Sequence, residues 1–343
     1  MTAATRVRVA VVGATGYAGA ELLRLLAAHP GVEVTTVTSE QDAGSALASV
    51  HPGLAGLELE LVSASVDNIV GNAELAFVAL PHGSSGPLVS GLLAAGLRVV
   101  DLGADFRFDS LDVYQQWYGD HPCPELLEGA VYGLSEFARS ELAEARLVAN
   151  PGCYPTGVLF GLLPLAGQTS GPIIVDSKSG TSGAGRAALR EGLFAEVNEN
   201  VKPYKVGEHR HQPEMVEKLE AHGVDASRLL FTPQLLPLSR GLLSHCYVAT
   251  AEGVDVSGAF SGAYADEPFV RLLGGEGVPS LARVRGTNMV EIAWREHSQS
   301  GLLLVMTAID NLGKGAAGQA VQNMNLMLGL DETTGLLATA ALP

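Results

Sequence analysis

Arg6-Val7-Arg8-Val9-Ala10-Val11-Val12-Gly13-Ala14-Thr15-Gly16-Tyr17-Ala18-Gly19 is the stretch on which the fold turns. Its first half is nearly continuous in valine, as in a strand buried on both faces. Past the glycines, Ala20 to His29 carries Leu22, Leu23, Leu25 and Leu26 at helical spacing, and Val32 to Thr38 reads as a second strand. A strand, a glycine-rich turn, a helix and a strand within about thirty residues is the setting in which such glycines mark a dinucleotide site. The spacing is G-x-x-G-x-x-G rather than G-x-G-x-x-G. In both, bare backbone lets a pyrophosphate approach the N–H groups at a helix N-terminus. A tight turn without a ligand is the alternative.

The second strand ends in Thr38-Ser39-Glu40-Gln41-Asp42. An acidic residue there suits the ribose hydroxyls of NAD, whereas small hydroxyl residues admit the 2′-phosphate of NADP. Ser39 and Glu40 therefore point in opposite directions. Further along, Leu75 to Leu80 is an apolar strand closed by Pro81-His82-Gly83, and a helix is expected over about Gly86 to Ala95. Arg98 to Leu102 is another strand, followed by Gly103 to Arg107. This alternation predicts a Rossmann-type α/β fold, a doubly wound parallel sheet with its crevice at the strands' C-terminal ends. Arg107 lies just past such an end, where a guanidinium can grip a phosphate bidentately. His82 is read as a turn residue.

The chain has 343 residues, 47% of them hydrophobic, more than one ordinary core accommodates, so two domains are expected. The formal net charge of −16 argues against nucleic acid and anionic membranes as partners. It also means that an anionic substrate needs cations gathered at its site. No apolar run approaches the roughly 20 residues of a membrane span. Cys123, Cys153 and Cys246 are far apart and odd in number, and Met1–Arg6 is short for a signal peptide. A cytoplasmic protein with free thiols is expected.

Asn150-Pro151-Gly152-Cys153-Tyr154-Pro155-Thr156 places one thiol at a sharp turn between an apolar run and a run that can be helical. Pro155 suits a helix's first turn. A thiol there feels the positive end of the helix, which favours thiolate. A small buried apolar residue is the alternative reading.

From Gly171 the pattern changes to a second, α+β domain with a mixed sheet. Strands are expected at Pro172–Ser177, Phe231–Leu236, Ser244–Ala251 and Leu302–Ile309. Between the first two runs a long irregular segment holds Ser179 to Arg186 and Tyr204 to Glu214, and loops of that length are usually functional or disordered. His209 and His211 stand two apart. No further ligand lies at metal spacing, so no metal site is expected. A base for a lone cysteine, supplied from elsewhere in the chain, is a recognised arrangement. Lys178, Arg186, Lys202, Lys205, Arg210 and Arg240 concentrate after Cys153, as an anionic substrate requires. The small-residue run from Asp310 leads into a helix reaching about Leu328, expected to return to the first domain.

The ordered set of these motifs, with Tyr132-Gly133-Leu134 and Asp310 to Asn325, resembles the N-acetyl-γ-glutamyl-phosphate reductases, within the aspartate-semialdehyde-dehydrogenase-like group. The resemblance implies an NADP-dependent acyl-phosphate reductase of arginine biosynthesis, a phosphorylating semialdehyde dehydrogenase working through a thioester. Carried over by position, it puts the nucleophile on Cys153 and the acid/base on His209. Substrate contacts fall on Arg107, Asn150, Arg186, His211 and Arg240. Contacts to NADP(H) fall on Gly13, Thr15, Gly16, Tyr17, Gly19, Ser39, Pro81, Ser182, Gly183 and Asn323. It implies a dinucleotide-binding domain at 1–152, joined by the C-terminal helix segment of about 311–343, a catalytic and oligomerisation domain at 153–310, and a homo-oligomer, dimer or tetramer. Ser135 stands where that family usually has proline, read as a matter of turn stiffness, and Glu40 sits awkwardly for a 2′-phosphate. An aspartyl- or aminoadipyl-phosphate reductase, a non-catalytic NADP sensor and a cysteine hydrolase are the competing readings.

Overall fold

The computed structural model describes residues 6–186, 190–336 and 339–340. The far end of the expected 311–343 segment and the residues ahead of Arg6 lie outside them. The chain forms two compact units. One runs through Pro151 and takes back Ala316–Leu336, and the other holds Gly152–Gly315.

The first unit is built on a seven-stranded sheet of order β3-β2-β1-β4-β5-β7-β6. Its strands are β1 (Val7–Val12), β2 (Val32–Thr38), β3 (Leu61–Val62), β4 (Leu75–Val78), β5 (Arg98–Asp101), β6 (Ala130–Tyr132) and β7 (Leu147–Ala149). Every pairing is parallel. The valine run of β1 explains itself here. Val9 and Val11 pack with Leu22, Leu23 and Met324 on one face, while Ala10 and Val12 pack with Val89 and Leu92 on the other. The helices Tyr17–Leu26 and Gly318–Met327 thus cover one side and Gly86–Ala94 the other. That is the doubly wound arrangement, and burying each such leucine contributes about 2 kcal/mol.

The second unit carries a mixed seven-stranded sheet, β12-β13-β14-β11-β8-β10-β9. Its strands are β8 (Thr169–Ser179), β9 (Lys202–Pro203), β10 (Leu229–Leu235), β11 (Leu242–Thr250), β12 (Val270–Gly274), β13 (Val290–His297) and β14 (Leu302–Ile309). β8 pairs parallel with β10 and β12 with β13; β11 runs antiparallel to both β8 and β14. The helix Cys153–Leu162 lies directly on this sheet. A Cβ at Gly157 would stand 3.3 Å from Thr307 and 3.4 Å from Ser244, and one at Gly161 3.2 Å from Thr307. Ser177, Ser244 and Thr307 are register partners across β8, β11 and β14. Small hydroxyl side chains there leave room for the helix, and they bond to one another or to it: Ser177 Oγ to Ser244 Oγ at 2.8 Å, Thr307 Oγ1 to the Gly157 carbonyl at 2.9 Å.

No helix among the described residues is long and apolar enough to cross a membrane.

Candidate active site

Cys153 is the first residue of its helix, with Gly152 as the extended residue ahead of it and Pro155 in the first turn. The thiol therefore sits at the helix's positive end. It is partly exposed, whereas Cys123 and Cys246 are buried. Burial pushes the Cys246 thiol up to about 12 and raises that of Cys123 as well, so neither ionises readily near neutrality.

The next residue, Tyr154, is buried and gathers the histidines. Its ring centroid lies 5.4 Å from that of His209 and 5.9 Å from that of His211, both edge-on. Phe231 closes the cluster against Tyr154 at 5.1 Å and His209 at 5.3 Å. The Tyr154 hydroxyl shares a 2.9 Å hydrogen bond with that of Tyr204, whose ring packs 5.6 Å from His209. Burial, then the neighbouring Tyr204, pushes the Tyr154 phenol up; burial carries Tyr204 up to about 12. Both phenols therefore stay protonated as donors. Between Tyr204 and His209 the chain doubles back through Lys205, held in the left-handed region at φ 44°.

His209 Nδ1 accepts the backbone N–H of His211 at 3.1 Å. A neutral ring held that way carries its proton on Nε2. The helix His211–Ala221 starts immediately afterwards. From its first turn the fully buried Glu214 accepts the Gly152 N–H at 2.8 Å. One carboxylate thus ties the turn before the thiol to the helix that His211 opens.

Arg240 is half-buried in the loop between β10 and β11. Its Nε–H donates to both oxygens of the fully buried Asp310, at 2.9 and 3.2 Å. Asn311 accepts the Gly241 N–H and donates to Ser182 Oγ, which fixes the turn carrying Ser182 and Gly183. Arg186 is exposed. Among the described residues no group of three or more His, Cys, Asp or Glu side chains could hold a metal ion.

In the first unit, Gly13 adopts φ +77°, and a Cβ there would stand 2.4 Å from the Ala79 carbonyl oxygen. At Gly19 a Cβ would meet the Gly13 oxygen at 2.3 Å. Gly16 precedes the helix Tyr17–Leu26 without a side-chain cap. Thr15 donates to Ser39 Oγ, which in turn donates to Asp42, while the Glu40 carboxylate takes the Ala64 N–H at 2.7 Å. Pro81 is exposed just past the end of β4, and His82 Nδ1 accepts the N–H of Ala104, 22 residues on in the loop after β5.

Curated relatives match the chain over nearly its whole length. N-acetyl-gamma-glutamyl-phosphate reductase from Heliobacterium modesticaldum is 46% identical, covering 98% of this chain and 100% of its own. That of Geobacter sp. (strain M21) is 48% identical over 96% and 97%. The chain belongs to the N-acetyl-gamma-glutamyl-phosphate reductase family. Family models agree: residues 8–145 match the semialdehyde dehydrogenase NAD binding domain and 153–311 the semialdehyde dehydrogenase dimerisation domain. The fold is similar to aspartate semialdehyde dehydrogenase II from Vibrio cholerae, with a TM-score of 0.73 at 18% identity over 95% of this chain and 99% of that one. Aspartate semialdehyde dehydrogenase with NADP from Candida albicans gives 0.71 at 15% identity, over 94% and 99%.

Three polar residues carried over from the family turn out to have internal partners. Arg107 is 4% exposed; its Nε–H and Nη2–H donate to the carbonyls of Asn150 and Leu102, both at 2.8 Å. Asn150 donates to the Ala316 carbonyl and accepts from Asn323. Asn323 has no exposed surface, and its amide also bonds the Gly133 carbonyl and the Ser135 hydroxyl. Ser135 is more than a turn residue, because its buried hydroxyl also accepts from Gln319 at 2.6 Å. Sequence reasoning missed Tyr154, Tyr204, Glu214 and Asp310 as parts of the site. Asp310 alone left a local trace, an aspartate two and three residues ahead of N–H groups it caps, those of Leu312 and Gly313.

Proposed function

We propose that this protein reduces N-acetyl-L-glutamyl 5-phosphate to N-acetyl-L-glutamate 5-semialdehyde and phosphate, with NADPH, through a thioester on Cys153, as a step of arginine biosynthesis. The observation that carries the reading is a partly exposed thiol opening a helix, with a histidine pair packed on the very next residue. The relatives' names supply the substrate.

The turn from Gly13 to Gly19 fits a dinucleotide, since a side chain at Gly13 would collide with the Ala79 carbonyl and one at Gly19 with the turn's own backbone. Thr15, Gly16, Tyr17, Ser39 and Pro81 would hold it. Glu40 is bonded to the Ala64 amide, so its presence at the end of β2 does not decide for NAD. When bound, the cofactor supplies hydride to the thioester carbon.

The Cys153 thiolate attacks the acyl carbon. The carbon–sulfur bond forms, the carbon–oxygen bond to phosphate breaks, and inorganic phosphate leaves with that electron pair. Arg240, with Arg186 and His211, meets the phosphate. Backbone N–H groups at the start of the Cys153 helix receive the oxyanion of each tetrahedral state. His209, neutral and protonated on Nε2, donates to that oxygen. Drawing the thiol proton, the other task expected of this ring, requires it to give up the His211 amide. After reduction the hemithioacetal collapses, the carbon–sulfur bond breaks, and the aldehyde departs as Cys153 regains its thiolate.

We place the protein in the cytoplasm, and the match to a dimerisation domain supports a homo-oligomer. The decisive assay runs the reaction backwards, oxidising N-acetylglutamate semialdehyde with NADP or NAD in the presence and absence of phosphate. Phosphate-dependent reduction of NADP is expected. Preference for the aspartate or aminoadipate semialdehyde in a parallel assay would reassign the substrate, and no turnover with any of the three would leave a cofactor-binding protein.

A further inference from the structure

We propose that Asp310 is a positioning residue that sets the separation between the phosphate-binding Arg240 and the Cys153 sulfur; the inference rests on the acyl-phosphate reading above. Asp310 follows directly on β14 and is fully buried, and its carboxylate takes the Arg240 Nε–H. Its remaining acceptor capacity goes to backbone: the N–H groups of Gly286, Leu312 and Gly313, at 2.5, 2.8 and 3.0 Å. Its own carbonyl accepts the Gly315 N–H at 2.9 Å. Gly315 in turn abuts the nucleophile, for a Cβ placed on it would stand 2.9 Å from Cys153 Cβ. A single buried residue therefore holds the arginine with its side chain and, through side chain and main chain together, the turn that backs the thiol.

The substrate's chemistry gives this linkage a purpose. In an acyl phosphate the carbon attacked by sulfur and the phosphorus are separated by one bridging oxygen. Sulfur and cation must therefore meet the two ends at the same time, at a fixed spacing. A carboxylate gripping the Nε edge of a guanidinium fixes the plane of the fork, which a lone flexible arginine does not do. The arrangement selects a phosphate joined to the reacting carbonyl, and favours it over an unphosphorylated acyl group that sulfur alone would reach.

The test uses the full chain carrying Asp310→Asn, with Arg240→Lys as the second variant because it leaves the backbone bonds of Asp310 in place. In the reverse reaction the KM for inorganic phosphate should rise at least about tenfold in each, as expected for loss of an oriented charge-assisted contact. The KM for the semialdehyde and the rate of Cys153 alkylation by iodoacetamide should stay within about twofold, a split that a general loosening of the site does not produce. Calorimetric titration with inorganic phosphate reads the same pair without turnover, and both variants should bind it at least about tenfold more weakly. Unchanged phosphate KM and binding in Arg240→Lys, or a parallel change in the semialdehyde KM and thiol reactivity in both variants, overturns the inference. So does an absence of phosphate binding by the wild type. Phosphate binding that obeys these expectations in a protein that turns over no semialdehyde would instead overturn the proposed function.

Discussion

The carboxylate of Glu214 accepts a 2.8 Å hydrogen bond from the backbone N–H of Gly152, the residue immediately before the candidate nucleophile. Glu214 is fully buried, so the bond is made away from water. Glu214→Ala leaves that N–H without its acceptor and should cost about 1–3 kcal/mol of stability. Glu214→Gln keeps an oxygen in place and should cost less. Urea unfolding of both variants checks this; an alanine variant as stable as the wild type would show that the bond contributes little.

Cys153→Ser should abolish reduction, by at least about a thousandfold, while cofactor affinity is retained, because a serine hydroxyl at this position lacks the thiol's acidity. Iodoacetamide should label the wild type at Cys153 ahead of Cys123 and Cys246, both of which are buried with raised thiol pKa values. Peptide mapping after brief labelling reads the order, and equal labelling of all three would contradict it.

His209→Asn should lower the rate by about a hundredfold or more without unfolding the protein, the usual scale for a positioned proton donor. The pH–rate profile is the sharper measurement. The wild type's dependence should flatten in the variant, and a profile of unchanged shape would remove His209 from acid/base work.

Asp101 gives a pH dependence of the other kind. Burial, and then the nearby Asp105, raise its carboxyl to about 7, against the opposing pull of the Gly103 N–H, Arg107 and Ser85. A carboxyl raised in the folded state stabilises fully below its unfolded value near 4, and that contribution is lost as pH rises through about 7. Relative to Asp101→Asn, the wild type should therefore lose about 3 kcal/mol between pH 5 and pH 8. Paired urea titrations at the two pH values read the difference, and equal slopes would refute it.

Local pattern made much of this legible. The valine run of β1, the glycine turn and the first helix are encoded within residues 6–26, and so is the turn that places Cys153 at a helix start. β13 was not legible, because Glu291 interrupts its apolar run. That carboxylate is buried and answered by Arg271, Arg283 and the Ser280 N–H, which only the folded chain brings to it. The same physics hid Glu214, whose partner lies 62 residues away. It also gives the polar residues Arg107 and Asn323 a task the sequence does not reveal. A buried donor needs an acceptor, and theirs are distant carbonyls and amides. Position along the chain identifies such residues as special without saying what they hold.

On β11 and β14, Ser244 and Thr307 stand directly against Gly157 and Gly161 of the Cys153 helix. The sulfur is consequently carried by a helix seated on the sheet at close range, with the Thr307 hydroxyl bonded to its Gly157 carbonyl. Fine adjustment of reactivity is left to the loops around Tyr204, Arg240 and Asp310. A single methyl added at Gly157 or Gly161 would stand 3.2–3.3 Å from Thr307 and so press on the helix that carries the thiol.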